Sequence, residues 1–397
     1  MDKDLQYSTI IWGVDDFNTL GLLRELNQAP LDILFIIRGK TRIAVYSKYC
    51  TNYVQTNSII DGYTWLLSNA SMFNYRPVII TSGDDIAVFI DQHRSELEPF
   101  FILPGTAKKG GVQLYTDKNI QTKLAESIGI LCPKSYYIKQ NSLLPEIQYP
   151  CIIKPAHEKE GHYNEFKLKV CRCREELQRT LKFVRKDSEF ILQQYIKTDG
   201  VFLVYGARLR NGHTILAGVL LKDRFADDGS GTHGYLTSDI PNCIDTEKII
   251  PFVEHIDFYG PFSFEYGKKG NKAYFFEMNL RNDGTSHYFF QAGANIPLAY
   301  VYSQMDIDYS QISTCIKNST FIDEIYDIEN VLHSRISIRQ WKEDKRNATV
   351  FRYYSLEDQR PWLIERRKSW IKIIQDVLLK NFRIYIVAVL DKLGLKK

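Results

Sequence analysis

The stretch Phe262–Gly284, FSFEYGKKGNKAYFFEMNLRNDG, decides the fold. Two aromatic and apolar runs, 262–266 and 272–277, flank the turn-like Gly267-Lys268-Lys269-Gly270-Asn271, which predicts an antiparallel hairpin. Successive side chains on a strand point to opposite faces, so Glu277, Asn279 and Arg281 share one face, and pairing brings Glu265 of the first strand to it. Unpaired charge is costly among Phe262, Phe264, Tyr274, Phe275 and Phe276, so the two carboxylates are expected to have a partner. Two carboxylates and an amide oxygen are hard donors of the kind that hold Mg²⁺ or Mn²⁺ when nucleotide phosphates complete the shell. Glu265, Glu277 and Asn279 are therefore candidate metal ligands. Arg281 is a candidate catalytic cation, able to grip an oxyanion through two N–H groups.

Working outward, residues 201–209 and 214–221 read as a second antiparallel pair joined by Asn211-Gly212. Strands are predicted at 136–138, 151–153 and 190–195, the first two on either side of a turn containing Pro145 and Pro150. Ile120, Leu124 and Ile128 form one face of a helix over 117–128 that Gly129 stops, and 174–184 reads as another helix. The first 105 residues differ, alternating strands (10–14, 33–37, 77–81, 100–103) with helices, the βαβ signature of a parallel sheet. Their first turn, Gly13-Val14-Asp15-Asp16-Phe17, lacks GxGxxG, and two carboxylates at a helix start repel a pyrophosphate, which argues against a dinucleotide site. Lys108-Lys109-Gly110-Gly111 reads as a linker.

Phe275-Phe276-Glu277-Met278-Asn279-Leu280-Arg281 resembles the end of the nucleotide site in the ATP-grasp superfamily, and the resemblance extends over most of residues 116–305. It implies that Lys118, in the opening Asp117-Lys118, and Lys154, in Ile152-Ile153-Lys154-Pro155, contact ATP. It also implies that Gln193 contacts the adenine amino group and that Gln194, Tyr195 and Ile196 read adenine through main-chain groups. Asp199 would bind ribose, and Lys222 and Arg224 would line the triphosphate, joining Arg281 as catalytic cations. The fold expected is α/β and α+β. A pre-grasp βαβ domain (1–115) precedes an ATP-grasp domain (116–315, lid about 130–196) and a basic, partly helical extension (316–397). The activity implied is Mg-ATP-dependent ligation of a carboxylate and an amine through an acyl phosphate, on an amino acid or peptide-like substrate. The alternative is a nucleotide-binding module that senses or scaffolds without turnover.

The chain departs from the family in its phosphate-covering loop, Ala156–His162, which holds a single glycine. His157, His162, Cys171 and Cys173 could in principle bind zinc, but the spacing lacks the usual ligand pairs. Arg208 and Arg210 share a strand face and could hold a carboxylate or be plainly solvated. Asp227–Gly234 reads as a glycine-rich loop that could cover the acceptor, and 282–286 as a substrate loop.

With 397 residues, 44% hydrophobic and 25% charged, the composition is that of a globular protein of two or three domains, excluding disorder and a polytopic membrane protein. The polar start MDKDLQYST and seven scattered cysteines without CxxC point to a cytoplasmic, reduced protein. The net charge of +4 hides a division, because residues 331–397 carry 16 basic against 7 acidic groups and the rest is acidic by 5. An acidic body without a basic aromatic platform excludes nucleic acid as a partner. Trp370, Ile373, Ile374, Val377 and Leu378 at helical spacing among Arg366, Arg367, Lys368 and Lys372 suit a helix packed on its own body. The same segment, 360–397, could instead rest on an anionic membrane or an acidic partner.

Overall fold

In the computed structural model, which describes residues 6–139, 142–156, 168–182 and 188–371, the N-terminal apolar runs become a four-stranded parallel sheet. Its strands are β1 (Thr9–Val14), β2 (Ile33–Arg38), β3 (Tyr53–Thr56) and β4 (Val78–Thr81), in the order β3-β2-β1-β4. Continuous apolar runs suit β1, β2 and β4 because helices cover both faces. One face packs on α1 (Phe17–Leu26) and the other on α2 (Ile59–Ser68) and α3 (Asp84–Gln92). Asp16 caps α1 by accepting from the Thr19 amide at 3.0 Å. Asp15, buried, accepts from the amides of Arg42, Ile43 and Ala44, so its carboxylate organises the loop after β2. The sequence reading missed β3 and α2. It also expected a strand at 100–103, where only Ile102 bridges to Val78.

The hairpin that opened the reading is β13 (Phe258–Lys269) and β14 (Lys272–Asn279). It forms one edge of an eight-stranded sheet with β5 (Gly105–Thr106), β10 (Gly200–Arg208), β11 (Thr214–Phe225), β12 (Gly231–Thr237), β15 (Ser319–Ile322) and β16 (Val350–Phe351). The order is β14-β13-β10-β11-β12-β15-β16, with β5 added to β13. Two expectations change here. Gly231–Gly234 is strand, leaving 226–230 to connect β11 and β12, and 319–322 and 350–351, expected in the C-terminal extension, continue this sheet. One face of the sheet shares a core with α1, through Leu203, Tyr205 and Leu220 against Leu20 and Leu23. The other buries Phe252, Phe262, Phe264 and Phe275.

A third, antiparallel sheet comprises β6 (Ser135–Lys139), β7 (Cys151–Pro155), β8 (Lys169–Cys171) and β9 (Glu189–Gln194), in the order β6-β9-β7-β8. The strands at 136–138 and 151–153 thus do not pair with each other, because β9 lies between them. Gly111, expected in a linker, begins the helix Gly111–Tyr115, and Gly110 before it has φ +83°. Helix 360–371 docks on the body. Trp362 packs on Tyr354, Glu365 accepts from the Tyr326 hydroxyl at 2.6 Å, and Lys368 donates to the Arg42 carbonyl. The rest of the expected tail helix, from Lys372, and the loop from His157 to His162 lie outside the described residues. Among the described residues no helix is long and apolar enough to cross a membrane.

Candidate active site

Glu265 and Glu277 are direct cross-strand partners in β13 and β14, and Ser263 and Asn279 are the same, so all four side chains stand on one face. Two carboxylates side by side repel, and each is held by a lysine from another element. Lys118 Nζ lies 2.9 Å from Glu277 Oε2, and Lys222 Nζ lies 2.8 Å from Glu265 Oε1. Lys118 opens the helix Lys118–Ser127, whose first turn Asp117 caps through the Asn119 and Ile120 amides. That helix is tied to β14 by Gln121, whose amide donates to the Met278 carbonyl at 2.9 Å and accepts from the Met278 N–H at 2.8 Å. The buried glutamine thereby aligns Lys118 with the residue next to Met278.

Lys154 on β7 donates to Gln193 Oε1 at 3.3 Å, and Gln193 donates to Ser135 Oγ at 2.8 Å on the neighbouring strand. Burial, aided by the charge of Lys118, lowers the Lys154 pKa to about 8, with Glu277 opposing. The amide of Gln194 donates to the Lys134 carbonyl, and Tyr195 and Ile196 follow as half-buried chain between β9 and β10.

Arg281 lies just beyond β14. Its Nε and Nη2 reach Asp84 Oδ1 and Oδ2 at 2.9 and 3.0 Å, while Nη2 also donates to Asn279 Oδ1 at 3.4 Å. Asn279 donates to Ser263 Oγ, and Ser263 donates to the buried Asp283, which also accepts from the Thr285 amide and hydroxyl. Burial disfavours the charges of Lys222, Glu277 and Asp283, yet neighbours of opposite sign hold them ionised. Lys118, Lys154 and Arg281 keep the Glu277 pKa below its usual value, Arg281 and Lys222 do the same for Asp283, and Glu265 with Asp283 raises that of Lys222. Lys222 also needs room: a Cβ on Gly231 would sit 2.8 Å from its Cδ.

Behind the row, Asn282 receives the Tyr205 hydroxyl at 2.5 Å and donates to Asn18 and Ser286, while Asn18 returns a bond to the Asn282 carbonyl. Ser286 donates to Glu25, whose carboxyl is fully buried and whose pKa burial pushes up to about 8. His287 beside it is depressed well below its ordinary value by burial and by Arg24.

The structure therefore brings together Lys118, Lys154, Gln193, Lys222, Glu265, Glu277, Asn279 and Arg281. It does not bring Arg224 there. That guanidinium is spent on Asp327 and Asp344, each at 2.8 Å, because a bulge between Lys222 and Arg224 breaks the strand alternation. Asp199 is likewise elsewhere, closing the β13–β14 turn through the Gly270 amide and Lys269. Arg208 pairs with Asp257 and stacks on Tyr259, and Arg210 pairs with Asp306, so both are ordinary sheet-end cations. Asp84, Ser263 and Gln121 escaped the sequence reading. The period-two pattern Ser263-Glu265 could have found Ser263, but nothing local marks the other two.

Glu265, Glu277 and Asn279 offer only oxygen donors, two of them anionic, a set that fits Mg²⁺ or Mn²⁺ and not a soft metal. Among the described residues no group of three or more His, Cys, Asp or Glu is arranged to hold a metal, so none of the zinc type occurs there.

No family model matches the chain. A D-aspartate ligase of Enterococcus faecium is 22% identical over 329 residues, covering 72% of this chain and 75% of that protein. Among solved structures, an ADP complex of purK, an N5-carboxyaminoimidazole ribonucleotide synthetase, superposes with a TM-score of 0.63 at 14% identity, over 84% of this chain and 87% of that one. The same synthetase from Thermus thermophilus gives 0.61 at 14% identity (79% and 82% covered), and an L-amino acid ligase from Bacillus licheniformis gives 0.59 at 12% (80% and 79%). The chain thus shares its fold with these synthetases and this ligase.

Proposed function

We propose that the chain is a Mg-ATP-dependent carboxylate–amine ligase acting on an amino acid or peptide-like substrate. The observation that carries this reading is the convergence of Lys118, Lys154, Lys222 and Arg281 around the paired carboxylates Glu265 and Glu277. The ligase relatives support the reaction class, and the D-aspartate and L-amino acid ligases support an amino acid as one partner. In this reaction a substrate carboxylate attacks the γ-phosphorus of ATP, ADP leaves, and an amine displaces phosphate from the acyl phosphate to form an amide. Mg²⁺ held by Glu265, Glu277 and Asn279 would neutralise phosphate oxygens.

The chain's own groups supply position and charge. Gln193, packed against Lys154 and Ser135, offers an amide for the adenine edge, and Gln194 to Ile196 offer main-chain groups beside it. Lys118 and Lys154 neutralise phosphate, and an arriving triphosphate would raise the depressed Lys154 pKa, so the site charges itself as it fills. Lys222 and Arg281 are already fixed by Glu265 and Asp84, so they need little reorganisation as negative charge spreads in the transition state. The test is ADP release by the full chain with a panel of amino acids, using hydroxylamine in place of the amine to trap the acyl phosphate as a hydroxamate. Hydroxamate that requires both ATP and the carboxylate is expected. Tight ATP binding without turnover across the panel would instead identify a nucleotide-binding module.

A further inference from the structure

Immediately past Lys222 the sheet opens into a cavity of about 560 Å³, lined by Asp223, Phe225, Ala226, Asp227, Arg335 and Ile336, among others. That volume is in the range of small-molecule sites. Asp223 faces it because the β11 bulge takes this residue out of the ladder, one Cα step from the lysine that pairs with Glu265.

The charges of its wall select the sign of an occupant. Both guanidinium groups are already paired with carboxylates: Arg224 with Asp327 and Asp344, and Arg335 with Asp227, besides its bonds to Asn330 and the Phe225 carbonyl. Asp227 is filled in turn by Arg335 and His333. Glu329 accepts from the Asp227 amide at 3.5 Å. Asp223 is different. One oxygen takes His233 Nδ1 at 2.8 Å, and the other accepts no hydrogen bond from the described residues although the side chain is 31% exposed. Asp223 and Asp227 in the wall, with Asp327 and Asp344 on Arg224, outnumber the two guanidiniums, so an anion entering here meets an unfavourable field. A cation meets an open carboxylate oxygen, with Phe225, Ala226 and Ile336 to cover an aliphatic stem.

We propose that this cavity binds the amine partner of the ligation as a primary ammonium on an apolar stem, with Asp223 as the residue that holds it. The proposal rests on the ligase reading, because it assigns the second substrate of that reaction. It places the cationic substrate against Asp223, one residue along β11 from the lysine that pairs with Glu265.

The probe is Nα-acetyl-L-lysine methylamide, which carries only an ammonium, compared with the uncharged Nα-acetyl-L-norleucine methylamide, both followed by saturation-transfer NMR on the full chain. The lysine probe should bind and the norleucine probe should not. Asp223→Asn should weaken the lysine probe by about fivefold or more, Asp223→Glu should retain it, and Ile336→Lys should abolish it by placing a cation in the wall. Equal binding of both probes, or an unchanged affinity in Asp223→Asn and Ile336→Lys, overturns the assignment. Mg-ATP titrated into the wild-type chain separates the two readings. ATP binding with no ammonium-dependent signal defeats the amine site alone, whereas absent ATP binding defeats the ligase reading.

Discussion

Arg281 is held in a two-pronged ion pair by Asp84, with both carboxylate oxygens within 3.0 Å of its Nε and Nη2. The arginine closes the row of charges on the large sheet, while the aspartate begins α3 at the carboxyl end of the parallel sheet. The parallel-sheet side of the fold thus aims Arg281, the proposed catalytic cation, on the large sheet. Asp84→Asn should lower kcat by about fivefold, the equivalent of one modest charge-assisted pair, with the KM for ATP changed much less. Asp84→Glu should restore part of the loss. Steady-state ADP release measures both, and an unaltered kcat in Asp84→Asn would show that the pair does not position Arg281.

Glu277 receives Lys118 directly and is flanked by Lys154 and Arg281. Replacing it by glutamine keeps the shape and removes the anion, so Glu277→Gln should abolish ATP turnover with the circular dichroism spectrum unchanged. Turnover at the wild-type rate would remove Glu277 from the site.

Lys154 loses its proton near pH 8 in the free protein because it is buried beside Lys118. The charged form, which a triphosphate prefers, is full below that pH and is lost above it. The KM for ATP should therefore rise as pH increases from about 8 to 9.5, and Lys154→Arg, charged throughout, should flatten the rise. Superimposable KM profiles for the two proteins would contradict this role.

Glu25 is an acid with no solvent contact whose pKa is raised from 4.5 to about 8. Below pH 4.5 it is neutral in both folded and unfolded chains. Between 4.5 and 8 only the unfolded chain gains by ionising, so stability falls across that window, by on the order of 5 kcal/mol for a shift of this size, and levels off above it. Glu25→Gln should remove much of that slope, as read by urea unfolding at pH 5, 7 and 8.5. A slope equal to wild type would place the titration elsewhere.

What was legible beforehand was what lies close along the chain. Alternation within 262–281 put Glu265, Glu277, Asn279 and Arg281 on one face, and the hairpin register made the two glutamates direct neighbours. The strand ending in Lys154 and the helix opening at Lys118 were equally visible, since each is set by a local apolar run and a cap. The alternation that places the others on one face misplaces Arg224. Period-two reasoning puts it beside Lys222, but a bulge and the acids Asp327 and Asp344, more than 100 residues away, take it from the site. Asp84 was invisible in the same way, because its meaning comes from a partner 197 residues later. β12 was hidden by its glycines, which read as a loop but are strand residues pressed against Lys222 and Leu221.

The bonds between Asn18 and Asn282 join positions 264 residues apart. Closing so long a loop is entropically expensive and gains little until the segments between are already ordered. The segment on which Asn282 sits is thus expected to close late in folding, after the residues between it and α1 have been ordered. A chain that ends before Asn282 carries Lys118, Lys154 and Lys222 without the bonds that tie this segment to α1, so the proposed ATP turnover would report that this closure has formed.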